Sequence, residues 1–198
     1  MNAETTTFAF DAASLERART IVARYPEGRQ ASAVIPLLDL AQRQNGGWLS
    51  QAAIEHVADF LGMPRMRAME VATFYTMFIR RPVGDNLVQL CRTTPCWLRG
   101  SDAIRDAVLA EAGCGLNETS ADGKFTVIEV ECLGACCNAP MIQIGDHFYE
   151  DLTPERTREI IAELRRGEAP KQGSQTGRQS SEPSGGLTTL TSAPAGGQ

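Results

Sequence analysis

The sequence lacks several features that would place it in common functional classes. No apolar stretch approaches the roughly 20 residues that a membrane-spanning helix needs, so we expect any membrane association to be indirect. There is no basic cluster, and the net charge is -5 at pH 7, whereas a nucleic-acid-binding face must be positive to displace counterions. A Cys-x-x-Cys motif and a glycine-rich nucleotide loop are also missing. These absences argue against nucleic-acid binding, dithiol redox chemistry and direct binding of a dinucleotide.

The N-terminal segment gives no sign of export. Its first ten residues are polar, include Glu4, and match neither a secretory signal nor an arginine-rich transit peptide. We therefore expect a reducing cytoplasmic compartment, in which disulfides are rare. With 198 residues, of which 42% are hydrophobic and 22% charged, the chain has the composition of a globular protein with a sizeable core.

Four of the six cysteines form two close pairs, Cys91-x4-Cys96 and Cys132-x3-Cys136. Each pair can chelate one metal ion, and the 35 residues between the pairs can hold a helix and a strand that fold back to bring the pairs together. Closing that loop costs about 3 kcal/mol, whereas a structural thiolate site returns about 10 kcal/mol or more. The spacing therefore predicts a metal site built from these four thiols.

The spacing alone permits either a four-cysteine zinc site or a 2Fe-2S centre. Gly134 and Ala135, between the second pair, let the backbone approach closely and direct amide N-H groups at sulfur. An anionic sulfide-bridged cluster needs such donors more than zinc does. These residues favour a 2Fe-2S centre, and a zinc-stapled adaptor is the alternative.

The same region carries a family resemblance. The motifs are Cys91-Arg-Thr-Thr-Pro-Cys96-Trp and Glu129-Val-Glu-Cys132-Leu-Gly-Ala-Cys136-Cys-Asn-Ala-Pro140, with further matching segments at 25–28, 40–46, 71–77 and 151–155. They resemble the thioredoxin-like 2Fe-2S subunit of NADH:quinone oxidoreductase, respiratory complex I, of the alphaproteobacterial and mitochondrial type. Since these segments are spread over nearly the whole chain, a chance match is excluded.

The resemblance implies a function as well as a fold. One 2Fe-2S cluster on Cys91, Cys96, Cys132 and Cys136 would carry electrons beside the flavin of an NADH-oxidising module. The implied partners are the flavin- and NADH-binding subunit, which holds FMN and NADH, and the large iron-sulfur subunit. The complex would place the chain on the cytoplasmic side of the bacterial inner membrane, and the isolated chain would not be catalytic. Related subunits of NAD-linked hydrogenases and formate dehydrogenases are the alternative within this class.

The predicted fold is α+β, with a helical bundle followed by a thioredoxin-like domain and an extended tail. The expected divisions are an arm over 1–13, a bundle over 14–80, a 2Fe-2S domain over 84–168 and a tail over 169–198 that becomes ordered on partner subunits. Periodicity and cap residues predict bundle helices over 14–24, near 34–41, after Ser50 and from Pro64. In the second domain they predict strands at 87–90, 125–130, 141–144 and 147–149, and helices at 101–112 and 154–166.

Several residues invite a functional role, but we expect ordinary packing for them. The stripe on the fourth helix is predicted to face the core; its members are Met66, Met69, Val71, Phe74 and Tyr75. His56 has no cysteine or second histidine at ligand spacing and is interpreted as a surface or partly packed side chain. Cys114 is predicted to be a small buried or loop thiol. Cys137 adjoins a predicted ligand, and packing is favoured over ligation because the family usually has an aliphatic residue there.

Overall fold

The computed structural model describes residues 7–186 and 188–189, and the chain divides into two compact units. The first ends at Val83 and is here called the helical unit, and the second begins at Gly84 and is called the sheet unit. The predicted α+β class, helical first and sheet-containing second, is confirmed. The helices of the helical unit are α1 (Ala12–Val22), α2 (Val34–Gln44), α3 (Gln51–Phe60) and α4 (Arg65–Phe74).

The ends of these helices follow from local hydrogen bonding. The Asp11 carboxylate accepts the N-H of Ser14, and the Ser50 hydroxyl oxygen accepts the N-H of Ala53, so each satisfies a backbone donor that the first turn leaves free. A 3-10 turn over Gln30–Ala33 leads into α2, where Pro36 lies in the first turn as predicted. Because α1 begins at Ala12 under the Asp11 cap, it starts two residues before the predicted boundary.

The prediction for α4 is wrong in which side chains are buried. Its buried residues are Ala68 and Ala72, whereas Met66, Phe74 and Tyr75 are exposed, Phe74 to 77%. Ala68 and Ala72 are four residues apart and therefore share one helix face. Small side chains let this face pack closely against the bundle, which turns the larger residues outward. Met69 and Val71 are half-buried and pack against the core.

The sheet unit is one mixed sheet flanked by helices. Its elements are β1 (Asn86–Cys91), α5 (Thr94–Leu98), α6 (Ser101–Ala112), β2 (Phe125–Val130), β3 (Ile142–Ile144), β4 (His147–Glu150), α7 (Pro154–Arg165) and β5 (Gly173–Ser174). The strand order within the described residues is β2-β1-β3-β4-β5. Strands β1 and β2 are parallel, β3 is antiparallel to both β1 and β4, and β5 is parallel to β4.

A continuous core lies between the sheet and α6 and α7. Val88, Phe125 and Val127 from the strands meet Val108 of α6 and Ile160 of α7, all fully buried. The predicted hairpin across Gly145 and Asp146 and the predicted helix over 101–112 are both present. The core thus fixes β1 and β2, whose ends carry the cysteine pairs.

Part of the C-terminal tail packs on the chain's own sheet. Residues 173–182 lie on the sheet unit itself, where Gly173 and Ser174 pair with β4 as β5. The ordering of residues 169–198 on partner subunits stays a prediction. Leu187 and residues 190–198, at the far end of this tail, lie outside the described residues. No helix in the described part of the chain combines the length and apolar composition needed to cross a bilayer.

Candidate metal centre

The parallel pairing of β1 and β2 brings the two cysteine pairs to one edge of the sheet. Cys91, the last residue of β1, lies opposite Val130, the last residue of β2. Cys132 follows two residues after β2 ends. Because parallel strands end at the same edge, the chain leaves β1 and β2 side by side. The backbone register therefore places Cys91 and the loop that begins with Cys132 at the same edge of the sheet.

The first pair is buried and is held by a short helix that the sequence did not reveal. Cys96 lies within α5, whose Pro95 is in the first turn, where a missing N-H does no harm. Cys91 and Cys96 are both buried and form a small apolar cluster with Ala139 and Met141. The sequence predicted only the following helix, over 101–112, and gave no sign of α5, which contains Cys96. Five residues are too few for a helical period to be recognised in the sequence.

The second pair is exposed and lies on an irregular loop. The Sγ atoms of Cys132 and Cys136 are 3.3 Å apart. The N-H of Gly134 donates to Cys132 Sγ at 3.4 Å, as the sequence predicted for an amide in this loop. Gly134 has φ +88, a left-handed conformation that a side chain would strain, and this accounts for glycine at that position. Cys136 then begins a 3-10 turn over Cys136–Asn138.

Hydrogen bonds divide each pair into one acidic and one weakly acidic thiol. Burial works to raise the pKa of Cys91, but hydrogen bonds from the Thr93 hydroxyl and the Leu133 N-H outweigh it, so that pKa is lowered. Burial and the neighbouring Cys91 raise the pKa of Cys96 to about 12. The hydrogen bond from the Gly134 backbone N-H is the largest cause of the lowered pKa of Cys132.

In the second pair, the pKa of the partner thiol, Cys136, is shifted in the direction opposite to that of Cys132. The pKa of Cys136 is raised, chiefly because it hydrogen-bonds to Cys132. In each pair, the thiol with the lowered pKa is the one that accepts a hydrogen bond from its partner thiol. Thr93 contacts both pairs, since its hydroxyl lies 3.5 Å from Cys91 Sγ and also lowers the pKa of Cys132.

The donor set fits a two-iron cluster in number and arrangement. A 2Fe-2S centre held by four cysteines takes two thiolates on each iron. The thiols lie as two hydrogen-bonded pairs whose charges also act across the pairs, Cys91 on Cys136 among them. Over residues 7–186 and 188–189, no group of three or more His, Cys, Asp or Glu side chains is arranged to hold a metal ion.

The remaining candidates take no part in this arrangement. Cys114 is half-buried and packs against the core of the sheet unit, as predicted. Cys137 is exposed, so the packing interpretation of its side chain is wrong. His56 is half-buried among Phe8, Phe10 and Phe60, as a partly packed histidine should be.

Two arginines make contacts beside the cysteines, and no sequence pattern predicted these contacts. Arg92 follows Cys91 and donates to Glu129 of β2 and Asp102 of α6, both at 2.6 Å. It thereby ties the ends of β1 and β2 to the start of α6. Arg178 of the tail donates to the backbone carbonyl of Cys137 at 2.9 Å. Neither contact has a local pattern, because each joins residues that lie ten or more positions apart.

Comparisons with known proteins agree on one family. Residues 18–165 match the thioredoxin-like 2Fe-2S ferredoxin family. The chain is 57% identical over 165 residues to a subunit of NADH-quinone oxidoreductase from Rickettsia bellii, covering 83% of this chain and 99% of that protein. It is 49% identical over 195 residues to the mitochondrial NADH dehydrogenase (ubiquinone) flavoprotein 2 of Dictyostelium discoideum, covering 98% of this chain and 79% of that protein.

A solved structure shares the fold at low sequence identity. A crystal structure of an NAD+-reducing NiFe hydrogenase superposes with a TM-score of 0.57 at 19% identity, covering 66% of this chain and 23% of that chain. At this identity the likeness concerns the fold alone.

Proposed function

Because the chain belongs to the thioredoxin-like 2Fe-2S ferredoxin family, we propose that Cys91, Cys96, Cys132 and Cys136 hold one 2Fe-2S cluster. The observation that carries this proposal is the parallel pairing of β1 and β2, which ends both strands at one edge of the sheet beside Cys91 and Cys132. The family favours iron and sulfide over the zinc staple that cysteine spacing alone left open. Two thiols for each iron is also the arrangement that such a cluster requires.

The chain is an electron-transfer subunit of NADH:quinone oxidoreductase, and it carries one 2Fe-2S cluster. The chemistry supplied by that group, when bound, is one-electron transfer. The chain itself supplies thiolates and backbone donors. The N-H groups of Gly134 and Leu133 hydrogen-bond to Cys132 and Cys91, and such bonds raise a cluster's reduction potential by stabilising negative charge on sulfur. Burial of Cys91 and Cys96 acts in the opposite direction.

We assign NADH oxidation to a partner subunit rather than to this chain. The partners we propose are the flavin- and NADH-binding subunit, which would hold FMN, and the large iron-sulfur subunit, on the cytoplasmic side of the membrane. Supporting this assignment, the sequence has no glycine-rich nucleotide loop, and its bacterial relatives are named as subunits. Trp97 and Leu98, directly after Cys96, are 57% and 70% exposed, which suits a face that a partner covers.

The hydrogenase and formate dehydrogenase alternatives receive less support. Identity to a complex I subunit reaches 57% with almost full coverage of that protein. Identity to the hydrogenase is 19%, a level that carries the fold and no more. The respiratory assignment is therefore the one we retain.

The ligand assignment is tested by replacing each of the four cysteines with serine in turn. We expect each variant to lose iron, or to give an altered EPR signal after reduction, because a serine oxygen replaces a thiolate ligand. Cys114→Ser and Cys137→Ser are the matched controls and should keep wild-type iron content and signal. If all four variants match the controls in both measurements, the assignment is wrong.

A further inference from the structure

Residues 173–182 of the tail, here called the strap, lie against the turn that begins at Cys136. The strap starts as β5, with Gly173 opposite Tyr149 and Ser174 opposite Glu150. The N-H of Gln175 then donates to the carbonyl of Glu150 at 3.0 Å. The strap is thus added to the sheet before it reaches the 136–138 turn, and the ladder with β4 fixes its position.

Arg178 joins the strap to this turn. Its guanidinium pairs with the carboxylate of Asp151, with Nε 3.1 Å from Oδ2, while Nη2 donates to the Cys137 carbonyl at 2.9 Å. Nη1 donates to the Glu182 carbonyl at 2.8 Å, which closes the strap on itself. The side chains of Arg178 and Asp151 are only 12% and 10% exposed. A charge-assisted pair so withdrawn from water is among the stronger polar contacts in a protein.

Asn138 forms a second tie, at the residue after Cys137. Its side-chain N-H group donates to the Ser180 carbonyl of the strap at 2.7 Å and to the Glu150 carboxylate at 2.6 Å. The backbone carbonyl of Asn138 accepts the N-H of Asp151 at 2.7 Å. The strap therefore grips two consecutive residues, 137 and 138, of a turn whose first residue is Cys136.

Asp151 is itself held in an unusual conformation by these contacts. Its φ is +54, in the left-handed region that a residue with a side chain adopts only at a cost. Its carboxylate accepts hydrogen bonds from the Ser174 hydroxyl at 2.6 Å and from Arg178. Removing Arg178 would leave a buried carboxylate without its cation, so the segment after β4 and the turn would loosen together.

We propose that Arg178 is a positioning residue that holds the turn of Cys136 in the conformation able to ligate the cluster. This inference rests on the proposed function, because it takes Cys136 as a ligand. With the strap in place, the turn keeps Cys136 Sγ within 3.3 Å of Cys132 Sγ. Without the hydrogen bond from Arg178 to the Cys137 carbonyl, Cys136 leaves its ligating position more often, and the cluster is lost faster.

The strap is tested first in the cluster-free full chain by hydrogen exchange of residues 136–152. In Arg178→Gln we expect exchange to be about tenfold faster, the equivalent of about 1.4 kcal/mol, the size of one hydrogen bond to a charged group. Arg158→Gln makes the same chemical change at an exposed position of α7 and should leave exchange at the wild-type rate. If exchange in Arg178→Gln stays at the wild-type rate, the proposal that Arg178 holds the strap on the turn is wrong.

The link to the cluster is tested in the loaded full chain by the rate of iron release to a chelator. We expect release about tenfold faster in Arg178→Gln than in Arg158→Gln. Faster exchange combined with unchanged iron release would overturn the positioning role. The Cys136→Ser variant separates the two proposals. If it keeps a wild-type cluster, the ligand assignment is wrong. The exchange measurement in the cluster-free chain still tests whether Arg178 holds the turn, because it does not depend on the cluster.

Arg178→Lys guards against a general folding defect. An ammonium group keeps the positive charge beside Asp151 but lacks the planar fork that serves Asp151 and the Cys137 carbonyl together. We expect about a threefold increase in both rates, between wild type and Arg178→Gln. Wild-type rates in Arg178→Lys would contradict the bridging contact.

Discussion

Among single residues, His56 of α3 shows how the partial burial of a side chain makes stability depend on pH. Its ring makes edge-to-face contacts with Phe8 and Phe10 at centroid distances of 5.5 and 5.0 Å. Its Nε2 accepts the N-H of Phe10 at 3.4 Å, which requires that nitrogen to be unprotonated. Burial lowers the pKa of His56 below its ordinary value, and the nearby Asp59 opposes the shift only in part.

The lowered pKa predicts that the helical unit loses stability in mild acid. The unfolded chain binds a proton at His56 near pH 6.5, whereas the folded chain binds it only at lower pH. The contribution is therefore full above pH 6.5 and is lost as pH falls through the folded pKa. Urea midpoints of the helical unit at about pH 7 and about pH 5 should differ more in wild type than in His56→Gln.

His147→Gln, which changes the chain's other histidine at an exposed position of β4, is the control and should follow wild type. An NMR titration of His56 gives its folded pKa directly. A value at or above 6.5 would contradict the prediction.

At the scale of elements, the packing of α6 against α7 is completed by Arg165. Its Nη2 donates to the carbonyls of Glu111 and Ala112 at 3.0 and 2.9 Å, where α6 runs out of internal partners. Nη1 pairs with Asp122, and the guanidinium lies 4.9 Å from the centroid of the Phe125 ring. One side chain thus joins the end of α6, the start of β2 and α7.

Arg165→Ala should lower the unfolding free energy of the sheet unit by about 2 to 3 kcal/mol, since it leaves two helix-end carbonyls without their donor and removes the ion pair with Asp122. Arg166→Ala is the neighbouring control. Arg166 pairs with Glu168 at the exposed surface, so its loss should leave stability close to that of wild type. Urea unfolding followed by circular dichroism measures both, and equal effects would show that the α6 contacts contribute little.

On the scale of the whole molecule, the chain consists of two units that each have a core of their own. The cysteine pairs, Arg92 and the strap all belong to the sheet unit. The same unit exposes Trp97 and Leu98 beside Cys96, although large apolar side chains are normally covered in an assembled protein. We infer that a partner covers them.

Trp97→Ala should therefore weaken binding to the partner that we propose, the flavin- and NADH-binding subunit, by about 30-fold, because buried tryptophans are frequent hot spots of about 2 kcal/mol or more. Arg99→Ala alters an exposed side chain two residues away and should change affinity by less than about threefold. Titration of the two purified subunits measures the affinity, while the EPR signal should be unchanged in both variants. Equal affinities of wild type and Trp97→Ala would remove Trp97 from the proposed interface.

Local sequence alone determined the features that have a short-range cause. The cysteine spacing, the Ser50 cap of α3, the helix over 101–112 and the hairpin across Gly145 all follow from neighbours within a few positions. Gly134 also signalled its amide contact with Cys132, because its backbone freedom is a property of the residue itself.

Tertiary structure decided the features whose partners are distant in sequence. The sequence wrongly predicted that the large residues of α4 face the core, because their spacing matches that of a buried helix face. In the packed bundle, Ala68 and Ala72 are the buried residues. Helix α5 is too short to show a period. The grip of Arg178 on Cys137 spans 41 positions and joins a polar tail to the cysteine loop. Such a contact depends on where the sheet places β4 and β5, and no local pattern of residues records that placement.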